Sequence, residues 1–273
     1  MARNALDRFL LRFVVAAIMA FLIGPLVIVA GLSLNAADLI QFPPRELSLR
    51  WYGEVWRLDG FVAAVLLSVK LAALTTAGTA ILGVMASLAL VRYRFPGRRV
   101  LLGVFLSPLV LPAIVIGIAL LQYFRTIDLL STFTTLLIAH IAVTLPFMIR
   151  TMTASLEVMD ENLLEAAKMM GADALQTFIH VVMPSVRSGF IAGVLFTFIL
   201  SFDNYTVSLF LTDPQTETLP IRMLKFTQVR IDPTVAAAST LLIGLSILIL
   251  LLAIHLVGLR RLGGMSASEP TRR

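Results

Sequence analysis

Apolar positions in this chain fall in six blocks, separated by polar intervals: roughly residues 13–34, 61–91, 100–123, 133–149, 188–210 and 233–259. Each is long enough to cross a bilayer, which takes roughly 17–25 apolar residues. A cleaved signal has an apolar stretch of only roughly 7–15 residues, so the first block reads as a retained span. The pattern predicts an all-α, polytopic membrane protein with six transmembrane helices, forming a single transmembrane domain over residues 1–273.

The blocks carry their own punctuation. Pro108 and Pro112 stand inside the third and Pro146 inside the fourth. Prolines within a span free carbonyls that neighbours must satisfy, which predicts buried, kinked helices rather than hinges. In the second block Gly78 and Gly83, with Ala77, Ala80 and Ala86, offer a small face for close helix packing. Lys70 lies in its first third, where its stem can snorkel to the headgroups. Trp51, Tyr52 and Trp56, just before that block, suit a membrane interface.

Charge sets the orientation. Fourteen of the 22 Lys and Arg fall before the first block, at Arg92, Arg94, Arg98 and Arg99, between Arg150 and Arg187, and after Arg260. By the positive-inside rule those segments are cytoplasmic, and both termini lie on that side. The net charge of +6 is thereby explained by topology and does not point to nucleic acid. At 59% hydrophobic and 14% charged, against roughly 25% charged in soluble domains, the chain needs lipid as its solvent. Cysteine is absent, so no disulfide or thiolate chemistry is available. His140, His180 and His255 are scattered and suggest no metal centre. His140 reads as a packed, hydrogen-bonded ring, His180 as a flank of the loop described next, and His255 as interfacial.

The long polar interval 150–187 still reads as helix. The helix formers Leu163 to Met170 lead to Gly171, which suits a sharp stop with positive φ. Leu175, Phe178, Ile179 and Val182 then recur at helical spacing, and Pro184 fits the first turn of the next run. Within this stretch Glu165-Ala166-Ala167, three residues, Gly171, nine residues and Val181-x-Met183-Pro184 resemble the EAA loop of ABC-importer permeases. That motif is EAA, three residues, G, nine residues, I-x-L-P; Val181 and Met183 are the departures. Ser48-Leu49-Arg50-Trp51-Tyr52, Phe95-Pro96-Gly97-Arg98, Ala139-His140, Leu145-Pro146-Phe147 and Ser201-Phe202-Asp203-Asn204 are similar to the spermidine/putrescine permease class, over about residues 45–260.

The resemblance implies a type I ABC importer permease fold, with a five-helix core and a first helix that embraces a partner. It implies a homologous second permease subunit, two cytoplasmic ATPase subunits carrying ATP and Mg, a periplasmic substrate-binding protein, and the bacterial inner membrane. Coupling to the ATPase would fall to Glu165, Ala166, Ala167, Gly171, Ala172 and Pro184. The chain has no G-x-x-x-x-G-K-[ST] loop, so it is expected to bind no nucleotide, carry no cofactor and catalyse nothing itself. Asp203 is an acid near the end of a span and is costly unless it faces a cavity or partner. With Asn204 and Tyr205 it is a candidate for the path of a polycation, or else a solvated helix cap. Polyamine is the leading cargo; an amino acid such as 4-aminobutyrate, an opine or a phosphonate stays open. An ion-gradient-driven transporter would want several acids in mid-span, and almost none are present.

Overall fold

The computed structural model describes residues 2–38, 41–129, 131–229 and 232–264, with side chains described between Phe9 and Leu251 except at residues 249 and 250. The described residues are almost wholly helical. In order they form α1 (Ala2–Ser33), α2 (Arg50–Val55), α3 (Phe61–Arg92), α4 (Arg98–Leu106), α5 (Ala113–Thr126), α6 (Thr132–Glu157) and α7 (Asn162–Met169). Then come α8 (Ala174–Thr177), α9 (Met183–Ser185), α10 (Arg187–Phe202), α11 (Ser208–Leu211), α12 (Leu219–Val229) and α13 (Pro233–Gly264).

Among the described residues three helices are unbroken and long enough to cross a membrane: Phe9–Ser33 within α1, α3, and α6. Pro25 sits inside α1 without ending it. Two further runs are bent pairs. The third run breaks by 105° between Arg98–Leu109 and Ala113–Thr126. A 3-10 turn at Ser107–Leu109 precedes the break, and Pro112 caps α5. The expectation of one buried, kinked helix is therefore corrected: two prolines four residues apart stop the helix outright, and α4 buries no residue. The fourth run does not end at Ile149, because α6 carries on through Arg150 to Glu157. Pro146 is tolerated inside it. The fifth run stops at Phe202 rather than continuing to Phe210. Three to five spans are thus present by length and composition among the described residues. The sixth block is the helix α13, whose described apolar part is Pro233–Leu248. His255 lies beyond the described side chains.

The chain divides into two compact units, Met1–Val62 with Arg222–Ile247, and Ala63–Ile221 with Leu248–Arg273. In the first, Trp51 is buried and its indole N–H donates to the Asn35 carbonyl at 2.7 Å. Tyr52 Oη and Ser33 Oγ lie 2.7 Å apart. These two rings tie the turn after α1 to α2, so the interfacial reading is left to Trp56, which is exposed and meets Phe61 edge-on. The Arg222 guanidinium donates to the Asp59 carbonyl.

In the second unit, α3, α6 and α10 build the core. Gly78 and Gly83 are the small face expected of α3. A Cβ on Gly78 would come 2.8 Å from Ile141 Cδ1, and one on Gly83 would come 2.5 Å from Met148 Cγ. Two apolar clusters result. Leu71, Phe124, Leu136, Ala139, Val207 and Leu211 make one. Val84, Met148, Met152, Leu156, Leu164, Val182 and Val186 make the other. Along α6, between the two clusters, lie two buried polar residues, His140 and Thr144.

Candidate coupling surface and polar helix break

The stretch Asn162–Pro184 is built by caps. α7 ends in paired hydrogen bonds, Ala172 N–H to the Ala167 carbonyl at 3.0 Å and Gly171 N–H to the Lys168 carbonyl at 2.9 Å. This is a Schellman ending, and Gly171 takes the left-handed position with φ +80°. A Cβ there would meet nothing within 4 Å, so backbone conformation alone favours glycine. α8 begins with a capping box: Gln176 N–H donates to Asp173 Oδ1 at 2.7 Å, and Asp173 N–H donates to Gln176 Oε1 at 3.0 Å. Asp173 and Gln176 stand at the spacing of that signal in the sequence.

Only one face of α7 is buried. Leu164 and Ala167, three residues apart, point into the core. Glu165, Ala166 and Lys168 are exposed, and Met169 and Met170 are the most exposed, at 89% and 82%. Of the motif residues, Glu165 and Ala166 thus form a surface with these methionines, while Ala167 is an anchor. Ala172 is half-buried and lines an open groove of about 490 Å³ with Leu88, Arg92, Leu164, Lys168 and Phe178. Pro184 is exposed in the first turn of α9.

The second helix of this stretch differs from the expected one. After four residues of α8 the backbone widens into a π turn over Phe178–Val182. The extra residue rotates the faces apart: Leu175 and Ile179 are exposed, Phe178 is half-buried and Val182 is buried. The chain then bends by 77° into α10. His180 is exposed on this surface and its Nδ1 donates to the Gln176 carbonyl at 3.0 Å.

The second candidate surface is the gap between α10 and α11. Asp203 caps α10 and is exposed; Tyr205 is exposed as well. Asn204 is otherwise occupied, because its Oδ1 accepts the Val207 N–H at 3.1 Å. His140, fully buried on α6, holds both sides of the gap. Its Nδ1 lies 2.9 Å from Ser201 Oγ and its Nε2 lies 3.0 Å from Ser208 Oγ. The Ser208 hydroxyl donates to the Asn204 carbonyl at 2.6 Å. Ser208 therefore has only an acceptor left for the ring, which assigns the proton to Nε2 and makes Nδ1 the acceptor of the Ser201 hydroxyl. Thr144 donates to the His140 carbonyl at 2.7 Å, and Thr79 Oγ1 lies 3.2 Å from Thr144 Oγ1. His140 is thus a packing residue with a satisfied ring, and in addition the clamp of the helix break.

The geometry thus sets an exposed helix-turn-helix next to buried, membrane-spanning helices, and comparison with known proteins supplies the family. Residues 79–261 match the family described as binding-protein-dependent transport system inner membrane component. The chain belongs to that family. It is a multi-pass permease subunit. It is 31% identical to the spermidine/putrescine transport system permease protein PotC of Escherichia coli (strain K12), over 88% of this chain and 90% of that one. PotC of Haemophilus influenzae (strain ATCC 51907 / DSM 11121 / KW20 / Rd) is 30% identical over 86% and 91%. The putrescine transport system permease protein PotI of Escherichia coli (strain K12) is 30% identical over 82% of each. Among solved structures, a bacterial ABC transporter involved in import of the acidic polysaccharide alginate superposes with a TM-score of 0.67 at 16% identity, covering 98% of this chain and 99% of that one. The permease fold is therefore shared at low identity.

Proposed function

We propose that this permease forms half of the substrate pathway of an ATP-driven importer for polyamines of the spermidine and putrescine type. It sits in the bacterial inner membrane with both termini cytoplasmic. Its partners are a homologous second permease, two ATPase subunits that hold ATP and Mg, and a periplasmic binding protein that delivers the cargo. The observation that carries the reading is the match over residues 79–261, which includes both Asn162–Pro184 and Asp203–Tyr205, together with the likeness to polyamine permeases along most of the chain.

Local geometry supports a division of labour in the coupling stretch. Glu165, Ala166, Met169 and Met170 face outward and are available to an ATPase surface. Leu164 and Ala167 face inward, and Leu164 packs in one cluster with Met148, Met152 and Leu156 of α6, Val84 of α3 and Val186. A displacement of α7 therefore moves the interior of the bundle and not only a loop. Packed interiors are close to incompressible, so a push at the surface is passed on rather than absorbed. Nucleotide must bind one permease state better than the other for this to drive transport. Gly171 and Pro184 set the geometry at the two ends, and Ala172 leaves room at the groove. Asp203 and Tyr205 offer a carboxylate and an aromatic face to a polycation, while Asn204 shapes the turn.

The test is ATP hydrolysis by the assembled complex in lipid with its binding protein, challenged with putrescine, spermidine, 4-aminobutyrate and aminoethylphosphonate. Stimulation by a polyamine is expected. Stimulation by one of the others alone would retain the class and replace the cargo.

A further inference from the structure

We propose that the turn joining α3 to α4 is a binding site for the phosphate headgroup of an anionic phospholipid. Four arginines, Arg92, Arg94, Arg98 and Arg99, fall within eight residues, and no Asp or Glu occurs between Asp59 and Asp128. Among the described residues none of the four arginine side chains makes an ion pair or a hydrogen bond to the protein. Among the described residues these guanidinium groups have no carboxylate within ion-pair distance, and so no protein counter-charge at that range.

The geometry suits a phosphodiester. Gly97, with φ +83°, turns the chain, and Arg94 and Arg99 line a cavity of about 390 Å³ together with Phe95, Arg98 and Val100. Arg94 and Arg99 are exposed and Arg98 is half-buried. Guanidinium forks match phosphate oxygens in pairs, which a lone lysine does not. Depth agrees as well. α3 has 32 residues, about 48 Å at about 1.5 Å per residue. That is close to a bilayer with its headgroups, about 40–45 Å, so the residue after α3 emerges at phosphate level. The next element is apolar and uncovered: on α4, Val100 is 71% and Val104 61% exposed. A phosphate beside a hydrocarbon surface is what a lipid brings and free phosphate does not. An acidic protein surface would match the arginines but not the bare valines.

The experiment is native mass spectrometry of the full-length protein in detergent, titrated with phosphatidylglycerol, with phosphatidylethanolamine, and with phosphatidylglycerol in the presence of excess inorganic phosphate. The expected result is retention of phosphatidylglycerol that falls at least about tenfold in Arg94→Gln/Arg98→Gln/Arg99→Gln, given the attraction of each basic group to an anionic leaflet. The double variant Arg94→Gln/Arg99→Gln alters only exposed side chains and should show the same direction if the triple variant folds poorly. Arg125→Gln, outside the turn, should bind as the parent does. Equal retention of phosphatidylglycerol by parent and double variant would overturn the proposal. So would equal retention of phosphatidylethanolamine, or full competition by inorganic phosphate, which would mark a free-anion site. Loss of the ATPase subunit from the purified complex with lipid retention unchanged would make the turn a protein contact instead.

Discussion

Gly189 has no space for a side chain. A Cβ there would lie 2.1 Å from Ser155 Oγ and 2.7 Å from the Thr151 carbonyl oxygen of α6. At Gly193, one turn on, it would lie 2.5 Å from Met148 Sδ and 2.7 Å from Thr151 Oγ1. The pair forms the small-residue seam that lets α10 lie against α6. Because a backbone carbonyl stands in the way, Gly189→Ala should force the helices apart and cost about 1–3 kcal/mol, read as a lower melting temperature in detergent. Gly193→Ala meets side-chain atoms only and should cost less. The strain at Gly171 is of another kind: Gly171→Ala should cost about 1–2 kcal/mol through its left-handed backbone, and Gly171→Asn should cost less. A third residue gives a pH signature. The Thr132 hydroxyl donates to Asp213, and the Gln215 and Thr216 N–H groups assist, holding the Asp213 carboxyl below its ordinary value of 3.8. A lowered carboxylate stabilises the fold above that value, and the contribution fades as the pH falls through the lowered one. Thr132→Val should therefore lower the melting temperature at pH 7, with the difference closing below about pH 3.8. A gap that persists in acid would mean Thr132 acts by packing alone. The motif residues Glu165, Ala166 and Gly171 were legible in the sequence because spacing marks them. The division between exposed Ala166 and buried Ala167 was not, since two adjacent alanines look alike until the helix has a core to face.

At the scale of elements, the apolar runs were legible and their breaks were not. Hydropathy counts residues and is blind to a carbonyl that has lost its partner. The third run keeps its apolar character through Pro108 and Pro112 and yet turns by 105°. The fifth ends at Phe202 because Asp203 and Asn204 favour caps over helix interior, a signal that the surrounding apolar residues mask. The π turn at Phe178–Val182 leaves no composition signal. What holds the α10 break is a histidine from another helix, and only the fold brings it there. His140→Leu should leave the Ser201 hydroxyl without its partner and cost about 1–3 kcal/mol. It should also loosen Asp203 and Tyr205, seen as a larger loss of uptake than of stability. His140→Asn, able to keep one of the two bonds, should fall between.

Over the second unit as a whole, two apolar clusters lie on either side of a layer of buried hydroxyls and His140. Hydrogen bonds across helices fix which residues face each other, where apolar packing alone would permit slippage. Such a unit is suited to moving as a body when α7 is pushed, because Leu164, Val182 and Val186 belong to one of its clusters. Ala167→Glu places an unpaired charge at a buried site and should detach α7 from the bundle. The expected result is an assembled complex whose ATP hydrolysis no longer responds to cargo. The class was readable from the spacing of one loop, whereas the cargo was not, since a single exposed carboxylate such as Asp203 matches several solutes.

The measurement to make first uses the fact that the chain has no cysteine. Single cysteines are introduced by Met169→Cys and Ala167→Cys, and each protein is assembled with an ATPase subunit and treated with a short bifunctional thiol reagent. Met169→Cys should cross-link to the ATPase with a yield that changes when ATP is added, and Ala167→Cys, on the buried face, should not. Cross-linking from Ala167→Cys alone, or from neither position in a complex that still hydrolyses ATP in response to cargo, would contradict the assignment of α7 as the coupling element.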